Sequence, residues 1–557
     1  RAYWCMARIR QRYKDYKTNW TMRQLLLTAS LLAITILAGA QTRNHSLIKL
    51  FRFGEVENEK PAVEYPDGTR LDVSAFGEDY SESFFAKDGV RRLQSWLENN
   101  ADKCPKVVST ARFASCVARP SKIVAIGLNY VEHIKEGQIQ SASIPREPII
   151  FMKSSTALCG PYDPAIIPPN SKKLDWEVEL AVVISKKASY VSEADAMTYV
   201  AGYYIMTDYS EREWQLEKDG NQWDKGKSAD SFAPLGPYLI LPQNIGNPQA
   251  LNLWLTVNGK RMQEANTKDM VFTIAKLISY TSHHMTLLPG DVISTGTPAG
   301  VGLGHKPPLY LKEGDEVELS IEHIGTQKQK VISYIQSQLT PEEYTHYQSW
   351  VALGVGGLPH TLEGYRTVQV LNKRMGNPLD AQRISPLTAT KEDKAYLKKL
   401  PKRKGTRPSI APFAIPHRQT NQFNDPQIRS IQQKLFDDEV AKNASLVHYQ
   451  TSGFERNNSA IFLNDTLHAN KDMNRVTHGE IGHVHPSDGS MHMTFLSPSD
   501  AKTVIEAGWG EFHGLAGDAR LTQTYMMLYS PRDSKELEVT RLILEAAIKY
   551  ATFVPDK

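Results

Sequence analysis

The sequence predicts an α+β protein with more than one domain. Three observations lead there. The chain has 557 residues, more than one ordinary hydrophobic core organises. Hydrophobic residues make up 41% and charged residues 23%, a globular composition. Short alternating runs bounded by turn signals recur up to about residue 335, with a helical stretch near Val90–Glu98, and the remainder shows no repeat of that pattern.

Charge and cysteine content narrow the class. A formal net charge of +4 is small for this length and argues against nucleic acid as a partner. The cysteines are Cys5, Cys104, Cys116 and Cys159, so no disulfide framework or cysteine-type zinc site is expected. Residues 1–47 read as an extension. Within it, residues 22–40 pair Met22-Arg23 with the apolar run Leu25–Ala40, which closes on the small residues Ala38-Gly39-Ala40. That run is short for a membrane span and suits an export signal, with a membrane anchor as the alternative. The expected location is therefore exported or membrane-attached, or cytoplasmic if the segment is an artefact of gene assembly. Residues 1–21 read as translated upstream sequence.

Residues 48–110 form a small N-terminal subdomain, with Asp67-Gly68 as a turn. Lys122–Leu128 is an apolar run, and Val131–Glu136 follows it. His133 and Glu136 are three apart, neighbours on a helical turn. A carboxylate beside an imidazole fixes its tautomer and makes a general base for water; an exposed helical pair is the alternative. The polar segment Gly137–Ser143 has the composition of a lid.

Leu174–Ser185 alternates as a strand does, with Trp176, Val178 and Leu180 on one face and Glu177 and Glu179 on the other. Paired carboxylates repel, and a hard divalent cation resolves the conflict; a solvent-facing strand is the plain alternative. Tyr199–Met206 is a second apolar run, after which Asp208 is placed to complete an all-oxygen site. Arg212 is suited to a bidentate grip on a substrate carboxylate. Lys227 lies in a Gly/Ser/Pro-rich loop, either as a surface charge or, beside a metal, as the stabiliser of an enolate or oxyanion. Asn258-Gly259 predicts a hairpin between Leu253–Val257 and Arg261–Glu264. Asp291–Gly302 runs a strand into small residues, which opens backbone amides to an anionic ligand; a tight turn is the alternative. Glu316–Ile321 and Gln329–Tyr334 read as a closing antiparallel pair.

Five blocks occur together in this order: Gly127-Leu128-Asn129-Tyr130 with His133 and Glu136, Asp175-Trp176-Glu177-Val178-Glu179, Thr207-Asp208, Lys227-Ser228 with Asp230 and Phe232-Ala233-Pro234, and Thr295–Gly302. On these blocks residues 48–335 resemble the fumarylacetoacetate hydrolase family, in particular its acylpyruvate hydrolases, with residues 111–335 as the catalytic domain. The resemblance implies a mixed β-roll, a homodimer and one Mg²⁺ or Mn²⁺, with Ca²⁺ as a further hard cation. It places the metal on Glu177, Glu179 and Asp208 and water activation on His133 and Glu136. It sets Lys227 near the oxyanion and Thr297 near the substrate carboxylate. The implied reaction is hydrolysis of a carbon–carbon bond in a small β-diketo acid. Decarboxylases, isomerases and hydratases of 2-oxo acids share the family, and a binding scaffold is the non-enzymatic alternative.

Polar residues 336–343, with Pro341, read as a linker to a second domain over 344–557. Lys398–Lys404 reads as a solvated basic helix end, with nucleic-acid binding as the weaker alternative. Glu480, His483, His485 and His492 form the other candidate cluster: on a strand His483 and His485 face one way, and His492 returns on a neighbour. Such a set binds metal or makes a hydrogen-bonded polar cluster. With Gly356-Gly357-Leu358-Pro359, Gly405–Ile410 and His513–Gly517, this half resembles the fungal luciferase-like family. Both resemblances together imply a bifunctional alternative, an oxygenase joined to a hydrolase of a caffeylpyruvate-type product.

Overall fold

The structure is a computed structural model that describes residues 44–136, 144–220, 222–389, 393–465 and 475–553. The stretch 22–40 and the lid segment 137–143 lie outside the described residues. Among the described residues no helix is long and apolar enough to cross a membrane. The chain divides into two compact units, with the boundary between Ser337 and Gln338.

The first unit is built on two mixed sheets. The path through the larger one runs Arg70–Asp72, Lys60–Glu64, Lys49–Phe53, Ala233–Ile240, Val200–Thr207, Val178–Ile184, Val292–Ser294, Ile123–Gly127, Ile149–Lys153. Its neighbours along that path are antiparallel except Val292–Ser294 beside Ile123–Gly127. The smaller sheet orders Lys260–Asn266, Asn252–Val257, Glu316–Ile321, Gly325–Ser333 and Ala165–Ile167. One apolar core unites them, and every residue of Val178–Ile184 is buried. A strand covered on both faces excludes the solvent-facing alternative for Glu179, and Glu177, just before the strand, is buried as well. The alternation is also interrupted: Leu174–Asp175 and Val178–Ile184 are separate strands, and Trp176 and Glu177 lie in the break.

The turn signals act through backbone geometry. Asn258 and Gly259 take φ of 51° and 76°, so both central hairpin residues are left-handed, as a two-residue turn between twisted strands requires. The helix near Val90–Glu98 spans Gly89–Asn100.

The boundary between the units falls within residues 336–343, and the second part of that stretch is helical. Pro341 opens the helix Pro341–Val351; Thr340 accepts from the Glu343 amide, and the Glu343 side chain accepts from the Thr340 amide. Proline in the first turn lacks only an N–H that the helix does not use, so here it starts a helix rather than breaking one.

The second unit carries an antiparallel six-stranded sheet in the order Val447–Thr451, Ser459–Leu463, Glu480–Val484, Met491–Met493, Met526–Leu528, Gly510–Phe512. Pro498–Ala507 and Ser534–Ala551 bury Val504, Ile505, Ile543 and Leu544 in the core against it. The basic run is not a helix end. Lys402–Lys404 is irregular, and Arg403 is buried, with its guanidinium 5.5 Å from the Tyr529 ring centroid. Pro401 and Gly405 flank it, which disfavours helix.

Candidate active site

Adjacent strands bring the acidic residues together. Val178 pairs with Thr207, so Glu177 precedes one strand where Asp208 leaves the other. The Asp208 amide donates to the Glu177 carbonyl at 2.9 Å, which fixes the two backbones. Glu177, Glu179 and Asp208 are 5%, 1% and 0% exposed, and each offers an oxygen within 4.8 Å of the others.

Buried cations compensate part of this charge. Lys227 Nζ donates to Glu177 Oε2 at 2.7 Å and to Asp208 Oδ2 at 2.9 Å. Lys153 Nζ donates to Asp208 Oδ1 at 2.5 Å and to the carbonyls of Tyr209 and Lys227. Arg212 donates from Nε to Asp175 Oδ2 at 2.8 Å and from a terminal nitrogen to Glu177 Oε1 at 2.7 Å. Its other terminal nitrogen donates to Gln215 Oε1 at 2.8 Å.

Glu179 stands apart. Its Oε2 accepts from Ser294 Oγ at 2.5 Å and from the Gly296 amide at 2.9 Å, both neutral donors. Burial, then the Asp208 and Glu177 charges, push its carboxyl well above the usual range. Burial opposes ionisation of Glu177 too, but Lys227 and Arg212, then His133, outweigh it and hold that carboxyl at about 2. Burial disfavours the charge on Lys153 and lowers its pKa against the pull of Asp208. Burial acts likewise on Lys227, yet Asp208 and Glu177 raise its pKa overall. The donor set is all carboxylate, buried and close, with one member lacking a cationic hydrogen-bond donor. That chemistry fits a hard divalent cation.

The glycine-rich segment after Val292–Ser294 organises the rest. The Gly300 amide donates to Glu136 Oε2 at 2.8 Å and Oε1 at 3.0 Å. The amides of Gly302 and Leu303 donate to Asp175 at 2.6 and 2.9 Å. Backbone amides do meet acidic groups there, but those are the protein's own Glu136, Asp175 and Glu179. Gly300 has φ of 103°, and a Cβ there would lie 1.9 Å from the Met262 carbonyl oxygen. Only glycine fits.

Glu136 Oε1 lies 2.9 Å from His133 Nδ1. The pair is part-buried rather than fully exposed, with side-chain exposures of 14% and 19%. A cavity of about 380 Å³ is lined by His133, Glu177, Glu179, Arg212, Lys227 and Thr297, with Phe151, Trp223 and Leu303 among its apolar walls. The imidazole thus faces the same space as the acidic pair. Asp208 is fully buried behind Lys153 and Lys227.

Two side chains differ from their sequence reading. The Arg212 guanidinium is engaged by Asp175, Glu177 and Gln215, so it braces the site's own carboxylates rather than offering a free fork. Thr297 Oγ1 donates to the Val178 carbonyl at 3.0 Å and accepts from Gln263 Nε2 at 2.8 Å, so its proton is already used. Sequence reading passed over Lys153, whose one local signal is a lysine closing the apolar run Ile149–Met152. It also passed over Asp175 as a side chain that holds Arg212.

In the second unit His483 and His492 face each other across paired strands. Glu480 bonds to His483 Nδ1 at 2.7 Å, which makes it a support; Glu455 instead groups with His483, His485 and His492.

The fumarylacetoacetate hydrolase C-terminal family profile matches residues 122–332. A Burkholderia multivorans protein, a hydrolase by provisional designation, is 47% identical over 283 residues, which cover 98% of it and 51% of this chain. The chain belongs to the fumarylacetoacetate hydrolase family. A Burkholderia lata relative of the same designation is 46% identical, again over 98% of its length and 51% of this chain. This family member extends beyond the part that these two relatives match, and a luciferase domain profile matches residues 478–547. Among solved structures, a fumarylacetoacetate hydrolase from Exiguobacterium antarcticum is 31% identical, with TM-score 0.44, covering 51% of this chain and 99% of that one.

Proposed function

We propose that the first unit hydrolyses a carbon–carbon bond in acylpyruvates or related β-diketo acids, with Mg²⁺ or Mn²⁺ held by Glu177, Glu179 and Asp208. What carries this reading is that His133, held from behind by Glu136, borders the same cavity as the buried Glu177–Glu179 pair. When bound, the cation supplies Lewis-acid polarisation at the 2-oxo-carboxylate end of the substrate.

The chain's own groups do the rest. Glu136 holds the proton on Nδ1 of His133, which leaves Nε2 to take a proton from water. That water adds to the distal carbonyl carbon. The bond from this carbon to the methylene breaks, its electron pair passes into the pyruvate enolate, and the proton held by His133 returns to the methylene carbon. The products are pyruvate and a carboxylic acid. Lys227 adds fixed positive charge beside the developing enolate. Arg212 positions Glu177 rather than the substrate. Phe151, Trp223 and Leu303 keep the acyl end among apolar walls. A homodimer through this unit is part of the same reading.

The test is product analysis on the full chain with acetylpyruvate and oxaloacetate, with and without Mg²⁺ or Mn²⁺. Pyruvate and acetate from acetylpyruvate, lost on chelation, support the reading. Release of CO₂ from oxaloacetate with acetylpyruvate untouched replaces it with decarboxylation.

A further inference from the structure

We propose that the second unit holds a divalent first-row transition ion, of the class of Fe²⁺, Co²⁺ or Zn²⁺, on His483, His485, His492 and Glu455. One ligand atom from each lies within 4.8 Å of the others, and all four residues are buried. His483 and His492 are direct partners in adjacent strands, and His485 lies two residues along from His483, one full strand period.

The ring nitrogens divide between ligation and support. His483 Nδ1 bonds Glu480 Oε1 at 2.7 Å, which leaves Nε2 inward. His485 Nδ1 bonds Ser490 Oγ at 2.8 Å, and that hydroxyl donates to Asp488 Oδ1 at 2.7 Å. His492 Nε2 lies 3.3 Å from His417 Nδ1, and His417 Nε2 lies 3.5 Å from Glu511 Oε1. Every one of the three imidazoles is therefore tied on its far side to a carboxylate, directly or through one polar residue. Such outer partners are what orient histidines toward a metal.

The near sides converge. His492 Nδ1 is 3.1 Å from His483 Nε2. Two nitrogens bound to one ion at about 2.0–2.1 Å each lie about 3.0–3.4 Å apart in octahedral or tetrahedral geometry. His485 Nε2 is fully buried with no hydrogen-bond partner, 3.9 Å from Glu455 Oε1. A purely hydrogen-bonded cluster leaves that lone pair unused; a cation explains it. Arg418 bonds both Glu455 oxygens, so the imidazoles carry most of the site and the donor set is nitrogen-rich. That separates it from the all-oxygen triad of the first unit.

The full chain carrying Glu177→Ala, which disables the acidic triad, is stripped with chelator and titrated with Co²⁺ under visible absorption. One ion per chain with nitrogen-ligand bands is expected, with affinity weakened about tenfold or more when His485→Gln is added. A folded Glu177→Ala chain that takes up no Co²⁺ overturns the proposal. Should either variant fail to fold, X-ray absorption on the unsubstituted chain loaded with Zn²⁺ decides. Imidazole scattering supports the site, and an all-oxygen shell overturns it.

Discussion

The Glu136 carboxylate accepts the Gly300 amide at 2.8 Å while holding His133 Nδ1 at 2.9 Å, so a backbone loop fixes the imidazole through the carboxylate. Glu136→Gln leaves the shape but removes the charge that stabilises the imidazolium. We expect kcat to fall about 10²–10⁴-fold with KM little changed, read by steady-state kinetics on acetylpyruvate. A wild-type rate would place the base elsewhere.

Glu177→Ala removes one of the two carboxylate partners of Lys227 and of Arg212 and takes a negative charge out of the buried cluster. Divalent-cation uptake in the first unit and turnover should both vanish, by calorimetry and by assay. Unfolding of that unit should become easier by about 3–5 kcal/mol, since two buried ion pairs are broken at once. Retained turnover would count against the acidic site.

Arg212→Lys separates bracing from substrate binding. A lysine cannot span Asp175, Glu177 and Gln215 at once. If bracing is its role, cation affinity falls about 10–100-fold, with a matching loss of rate at fixed cation. A rise in KM alone, with cation affinity unchanged, would return Arg212 to the substrate.

The last long helix offers a pH test. Glu545 accepts from Lys442 Nζ at 2.8 Å and from Arg541 at 2.6 Å, and the Lys442 bond, with Arg541, lowers its pKa despite some burial. A depressed folded pKa adds stability above the unfolded value of about 4.3, and that stability is lost as pH falls through the folded value. Glu545→Gln should therefore cost up to about 1 kcal/mol at neutral pH, because Glu545 is only part-buried and its partner Lys442 is exposed. The two proteins should melt alike in strong acid, and a difference that persists there would assign the effect to packing.

Local signals were legible where the backbone alone decides. Asn258-Gly259 marks its hairpin because both residues must take positive φ. Glu177 and Glu179 are legible as neighbours, but their burial depends on sheets assembled from distant segments. Lys153 was invisible because its partner Asp208 lies 55 residues away. The glycine-rich segment announced an anion, yet its partner Glu136 is 164 residues from Gly300. Pro341 misled because the same residue breaks a helix inside and begins one at its edge.

Peptide amides are common to every residue type. Because the segment from Gly296 to Leu303 grips Glu136, Asp175 and Glu179 through amides, exchange of wall residues such as Phe151 or Leu303 leaves those grips chemically unaltered. Substrate preference can drift in such a scaffold while the reactive frame is inherited intact, with Gly300 as the position where a new side chain breaks that freedom.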